Sequence, residues 1–365
     1  MLRFLALAYV ACLFLNTGTV LIYAICIGIT AVSVFLWLFV GMGASTRERI
    51  VWYSTILATA AIPILGRTPA AAAGFMAGIG LNMGMYEMIG QNGLPRRGVR
   101  VLVVAMGVVA LVYAAISGKW NTTIYGSSNY VVSLVLLALF LADEYCWDSR
   151  FVRAWAYAYA VLFTLLARSR SGLIAVGVYF FLSRIRRPRS RFVASVVAFS
   201  ATAVVTQYIL PNYGAGLTFW GKTLSASSNR VTLWSQGWSL VLQHPWGYGY
   251  LGYSDLIVSQ HSTFQSPHSL YLNVLLQGGI PYGILLVFFL ALLLARCHSR
   301  AAVACVMAML CRGFLESSSP FGYTLGSALL VLPLFVAEGN RRELKKSMRM
   351  DGHASTSPSS PSAAD

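Results

Sequence analysis

Apolar blocks of helix-spanning length recur along almost the whole chain, and they decide what it can fold into. They lie near 4–17, 19–42, 51–65, 70–90, 99–117, 130–142, 152–167, 172–183, 192–210, 276–296, 301–315 and 322–338, each bounded by Gly, Pro, Arg or Asn. In hydrocarbon every backbone N–H and C=O must find a partner within its own segment or on a neighbour. Continuous apolar blocks therefore mean helices, not barrel strands, which alternate with period two. Charged residues make up 10% of the 365, against 57% hydrophobic, and a water-facing surface needs about 25%. The sequence predicts an all-α, polytopic transmembrane bundle of about twelve helices, ten to twelve given the shorter blocks.

The net charge of +16 is distributed as an orientation signal rather than as a nucleic-acid footprint. With the N-terminus in the cytoplasm, 20 of the 27 Lys and Arg residues fall in cytoplasmic segments. The other side holds Arg67, Lys119, Arg168, Arg170, Lys222, Arg230 and Arg312. Every loop obeys the alternation, so both termini are expected to be cytoplasmic, and the excess charge faces anionic lipid. Met1–Asn16 lacks a small-residue cleavage pattern and is followed at once by a second apolar block, so it reads as the first membrane helix. The six cysteines show neither CxxC nor Cys/His ligand spacing. They read as small packing residues.

The expected organisation is helices one to nine over 1–210, an external loop over 211–268, helices ten to twelve over 269–338, and a basic then disordered cytoplasmic tail over 339–365. The loop is no plain linker. It carries Trp220, Trp234, Trp238 and Trp246 and a run of tyrosines. Val231, Trp234, Trp238 and Val241 share one face of a predicted helix capped by Asn229, which would lie along the membrane surface. Pro245-Trp-Gly-Tyr-Gly follows as a Gly/aromatic turn. The tail from Asp351 is rich in Ser, Pro and Ala and reads as disordered.

Cations outside the cytoplasm are rare, so their positions are informative. Arg168 and Arg170 sit in Ala167-Arg-Ser-Arg-Ser-Gly172, between two blocks too close for a real loop. Guanidinium groups are costly there unless they meet water, a partner or an anion, and their planar fork matches phosphate. The competing reading is a tight turn whose arginines snorkel to headgroups. Arg230 opens the loop helix, where a cation gains nothing from the dipole. His268 precedes the block that re-enters the membrane and can take a proton from a hydroxyl; His244 and His261 compete for that role. Acidic residues are scarce, with Glu87 near a cytoplasmic end and Asp255 and Glu316 outside. No carboxylate cluster for a divalent cation is visible.

Three ordered elements together resemble the O-antigen ligase and Wzy-type polysaccharide polymerase superfamily of bacterial inner-membrane proteins. They are Ser169-Arg-Ser-Gly172; Asn229-Arg230 with Trp234, Gly237 and His-Pro-Trp-Gly-Tyr-Gly249; and Pro267-His-Ser-Leu-Tyr-Leu-Asn-Val-Leu-Leu-Gln-Gly-Gly-Ile-Pro281. Where the family usually reads His-Asn and Gly-Ile-Pro-Gly, this chain has His268-Ser269 and Gly279-Ile-Pro-Tyr282. The resemblance implies a glycan carried on undecaprenyl pyrophosphate, delivered to the periplasmic face and transferred with inversion, with no metal and no cofactor. It carries functional roles onto Arg170, Arg230 and His268; the chemistry of the residues then reads Arg230 and His268 as catalytic, Arg170 with Arg168 as pyrophosphate-binding, and Trp234, Trp238 and Tyr248 as a substrate loop that stacks on sugars. The acceptor is a glycan, for a polymerase, or a lipid A core, for a ligase. A lipid-linked glycan flippase and an inert scaffold are the readings from other classes; two related halves with discontinuous helices would mark the flippase.

Overall fold

The computed structural model describes residues 1–15, 20–40, 49, 53–54, 69–117, 128–209, 218–219, 222–223, 228–249, 268–316 and 325–354. They form α1 (Leu2–Leu15), α2 (Val20–Val40), α3 (Pro69–Asn92), α4 (Arg96–Ser117), α5 (Ser128–Tyr145), α6 (Arg150–Ala167), α7 (Arg170–Arg184) and α8 (Pro188–Val204), which runs on as a π-turn to Ile209. After a two-residue antiparallel ladder, β1 (Thr218–Phe219) with β2 (Lys222–Thr223), come α9 (Ser228–Gln243), α10 (Leu270–Arg296), α11 (Arg300–Arg312), α12 (Leu325–Ala328) and α13 (Leu332–Ala354). Among the described residues the architecture is all-helical apart from that ladder. The described parts of the predicted apolar blocks lie largely on helices; most of 51–65 lies outside the described residues, and 322–338 is split into α12 and α13 by a turn at 329–331. Among the described residues three helices are long and apolar enough to cross a membrane: α4, α8 with its π-turn, and α10.

The core forms around α5, whose residues 131–142 are buried on every side. Close helix approach comes from small residues, as in membrane interiors where packing replaces the hydrophobic drive. Gly172 lets α7 lie on Val132 of α5, since a Cβ there would come within 2.5 Å of the valine methyl. Ala301, Ala304, Cys305 and Ala308 give α11 a small, fully packed surface against α7.

α10 is broken. Gly279 has φ 77° and ψ 179°, a conformation open essentially to glycine alone, and Pro281 follows. Two carbonyls and an N–H thus leave the helical ladder, which hydrocarbon does not tolerate. The turn after α9 takes them up. Tyr248 N–H donates to the Leu276 carbonyl (2.7 Å), Gly249 N–H to Gln277 (3.0 Å), and Ile280 N–H to the Pro245 carbonyl (2.7 Å). The two backbones touch: a Cβ on Gly247 would lie 2.5 Å from Gly279 N, and one on Gly279 2.4 Å from the Trp246 carbonyl carbon. The Pro-Trp-Gly-Tyr-Gly segment, expected as a free turn, is thus a plug in a discontinuous helix.

One end of the bundle collects ion pairs between distant segments. Arg49 bonds Glu87 and Glu338, Arg3 pairs with Glu343, Arg100 with Asp148, Arg153 with Asp143 and Arg342 with Glu338. Arg49 is 6% exposed and sits over the Phe335 ring.

Three expectations need correction. The loop helix begins at Ser228, so Asn229 lies inside its first turn rather than at the cap. The last helix runs through Ala354, so the basic segment and the start of the Ser/Pro/Ala tail are helical, because Arg, Lys and Met keep good helix propensity past the apolar block. Arg312, expected among the loop cations, is buried at 5% exposure and donates to Ser133 Oγ at 2.8 Å.

Replacing Gly279 with Ala closes both the conformation and the space the plug needs. We expect G279A to lose most of its folded, monodisperse fraction in detergent, measured by fluorescence-detected size exclusion. The adjacent I280V, a loss of one methyl costing about 0.5–1.5 kcal/mol, should keep it.

Candidate functional site

At the end of the bundle away from the ion pairs, two turns converge on the close of α11. In the first, α6 ends with Arg168 as its cap, in left-handed backbone (φ 46°, ψ 38°), its N–H bonded to the Leu165 carbonyl. Ser169 then caps α7, its hydroxyl accepting from Gly172 N–H at 3.2 Å. Ser169 Oγ lies 3.2 Å from Ser171 Oγ, and Ser171 donates to Glu316 Oε1 at 3.4 Å. Arg168 is exposed and Arg170, the first residue of α7, half-buried.

In the second turn His268 is exposed and also left-handed, at φ 44°. Ser269 caps α10, accepting from Leu272 N–H at 3.5 Å, and Leu270 N–H donates to the Gly313 carbonyl at 2.7 Å. Arg170 and His268 are therefore tied, through Ser171 and Leu270, to positions three residues apart at the close of α11. Among the described residues Arg168 and His268 are the two non-glycine residues with positive φ. Each costs roughly 1–2 kcal/mol, and such strain gathers where a site needs a particular direction of approach.

α9 lies against the start of α10. Gly237 presses on Leu272, and Trp234, Val241, Tyr248, Leu272, Leu276 and Leu315 form one buried cluster that Ile174 of α7 joins. Arg230 stands one turn before Trp234, near the start of α9. The buried stripe of α9 runs through Trp234, Gly237 and Val241, which leaves Trp238 half exposed at 50%. Trp234 (6% exposed) and Tyr248 (5%) are thus committed to packing, and the Tyr248 hydroxyl donates to the Leu240 carbonyl at 3.3 Å. The expected single face of Val231, Trp234, Trp238 and Val241 is split because glycine at 237 gives the closest approach to α10. His244 follows α9, exposed, its ring 4.5 Å from that of Tyr248. His261 and Asp255 lie outside the described residues.

Chemically the site offers two capped helix N-termini, α7 and α10, whose outward N–H groups and positive dipole ends favour an anion, with arginines and an imidazole at their mouths. Sequence reasoning did not find Ser171 and Glu316 as the link between the turns, since nothing in spacing pairs residues so far apart. Among the described residues no group of three His, Cys, Asp or Glu side chains is placed to hold a metal ion.

The left-handed turn gives a clean test. We expect R168G to keep or slightly raise the melting temperature, because glycine adopts that backbone freely, and R168V to lower it; a thermal melt of each purified variant reads both.

No curated protein matches the chain. Residues 155–288, which hold all seven candidate residues and the broken part of α10, match the family model described as Wzy_C, O-Antigen ligase.

Proposed function

We propose that this protein is a metal-independent, inverting glycosyltransferase of the bacterial inner membrane that polymerises or ligates glycans carried on undecaprenyl pyrophosphate. The observation that carries the reading is the meeting of the Arg168–Arg170 turn and His268 at the close of α11, both strained, both beside a helix N-terminus. In the reaction an acceptor sugar hydroxyl attacks the anomeric carbon opposite the lipid diphosphate. The new glycosidic bond forms as the bond to the diphosphate oxygen breaks, and undecaprenyl pyrophosphate leaves. Arg170 with Arg168 and the N-terminus of α7 holds the diphosphate and meets its growing negative charge; fixed charge aimed in this way is the main source of rate in such sites. Arg230 adds a second cation from α9, and His268 takes the hydroxyl proton. Of Trp234, Trp238 and Tyr248, Trp238, half exposed, is the one free to stack on a sugar.

An apolar groove of about 400 Å³ supports the lipid carrier. It opens at Leu270 and Tyr271, beside His268, and follows α10 past Val274, Ile284 and Val287. A glycan acceptor makes the enzyme a polymerase and a lipid A core makes it a ligase. The topology that goes with this reading is twelve spans, both termini cytoplasmic, and a periplasmic loop over 211–268. The ion-paired arginines at the far end, Arg3, Arg49, Arg100, Arg153 and Arg342, are the ones expected in the cytoplasm. The flippase reading gains one sign, a discontinuous helix. Here, however, the freed groups at Leu276, Gln277 and Ile280 are bonded to the plug rather than offered to a substrate.

H268N and H268G both tolerate left-handed backbone, so they remove the imidazole without straining the turn. Each should fold like wild type and lose about 100-fold or more in transfer rate. R170A and R230A should leave lipid-linked glycan unconsumed. The readout is surface glycan against accumulated lipid-linked glycan in cells; unchanged surface glycan in all of these variants would end the proposal.

A further inference from the structure

The inward face of α8 is unlike its outward one. Phe192, Val193, Val196 and Val197 face out, while Arg191, Ser195, Thr202 and Thr206 are buried against α7 and α11. Thr202 and Thr206 satisfy their hydroxyls on the carbonyls of Ala198 and Thr202, each at 2.7 Å, in the usual way for a helix. Ser195 does not: its Oγ is buried with no hydrogen-bond partner among the described residues. One turn earlier Arg191 is 6% exposed, and its Nε and Nη1 are likewise buried without a partner. Three polar atoms at i and i+4 thus lie together on one helix face, sealed from solvent and unmet.

Among the described residues the Arg191 charge is unmet as well. The groups of other elements that act on Arg191 are Cys297 and Arg300. The Cys297 thiol, pushed up to about 11 by burial, is neutral at physiological pH, and Arg300 repels. The carboxylates that act on Cys297 are engaged elsewhere: Glu144 by Ser299 and Asn340, Glu338 by Arg49 and Arg342. Arg187, Arg189 and Arg300 are exposed around the same corner. Burying a charge without a partner costs several kcal/mol, and orienting a membrane protein needs only arginines at the water boundary, as Arg187 and Arg189 already are.

We infer that Arg191 and Ser195 form a phosphate-binding site at the basic end of the bundle, filled by the phosphate of an anionic phospholipid headgroup or by free phosphate. The Arg191 guanidinium presents Nε–H and Nη1–H as a fork that a phosphate accepts with two oxygens, and the Ser195 hydroxyl supplies a third bond. The anion cancels the stranded charge and pins α8 to the turn between α10 and α11. This site is separate from the one around His268, at the opposite end of α7 and α10, and stands whether or not the glycosyltransferase reading does.

The test uses the full chain in nanodiscs of phosphatidylcholine, with or without phosphatidylglycerol, and in phosphatidylcholine with added inorganic phosphate. Melting temperature and lipids retained in native mass spectrometry are read for wild type, R191M, S195A and R189Q. Wild type should be stabilised by phosphatidylglycerol or by phosphate, and the arm that responds names the source. R191M should weaken that response about tenfold or more and S195A about threefold, while R189Q keeps it. In phosphatidylcholine alone R191M should melt at or above wild type, since it removes an unmet buried charge. A response that persists in R191M, no response in either arm, or R191M that melts below wild type in phosphatidylcholine alone would overturn the site.

Discussion

A backbone in hydrocarbon has nowhere to put an unmet N–H or C=O, and the form of this molecule around its site follows from how that demand is met at Gly279. A helix interrupted inside the membrane needs a replacement ladder. Here the replacement is the main chain of Pro245–Gly249, which contributes two donors and one acceptor. Because the exchange is backbone to backbone, it holds the two main chains in contact, with glycines at 247 and 279 where a Cβ would clash. It locks the C-terminal end of α9 to α10, and through Trp234, Leu272 and Leu315 it locks α9 to the close of α11. The turns bearing Arg168, Arg170 and His268 sit on that same framework, so the rigidity of the candidate site is inherited from a repair made about two to three turns deeper.

The two ends of the bundle use charge in opposite ways. At the basic end arginines are matched with carboxylates from distant helices, and Arg49, nearly solvent-free, is held by Glu87, Glu338 and the face of Phe335. Breaking one member of such a network leaves a buried charge behind, which is why it joins α3 to α13 so firmly. At the other end there are few acids, and positive potential comes from arginines together with helix N-termini. Glu316 is engaged there with Ser171. At the first end ion pairs tie distant helices together; at the other, arginines and helix N-termini stand with few acids beside them.

Much of this was legible in the residues. Hydropathy places the helices because lipid forces apolar runs to be helical, and the motifs around Arg170, Arg230 and His268 mark the region that matches Wzy_C. The rest was hidden for physical reasons. Gly278-Gly-Ile-Pro281 lies in an apolar run, and nothing local says that its break is filled from thirty residues earlier. Helical spacing put Trp234 and Trp238 on one face, but the space left by Gly237 decided which tryptophan went inward. Arg191 was counted as one more orientation charge, because charge alone does not tell which way a side chain turns. The strain at Arg168 and His268 is written only in φ.

The order of the plug and the break along the chain carries a consequence for biogenesis. A polypeptide enters the bilayer N-terminus first, so Pro245–Gly249 is synthesised before α10. When the ribosome delivers Gln277-Gly-Gly-Ile-Pro281, the segment that completes it has already been made, and the entropic cost of closing the intervening loop grows only slowly with its length. The defective helix need never sit in lipid alone. A circularly rearranged chain that made α10 first would face the membrane with its ladder open, and the translocation machinery would have to shelter it until its partner arrived.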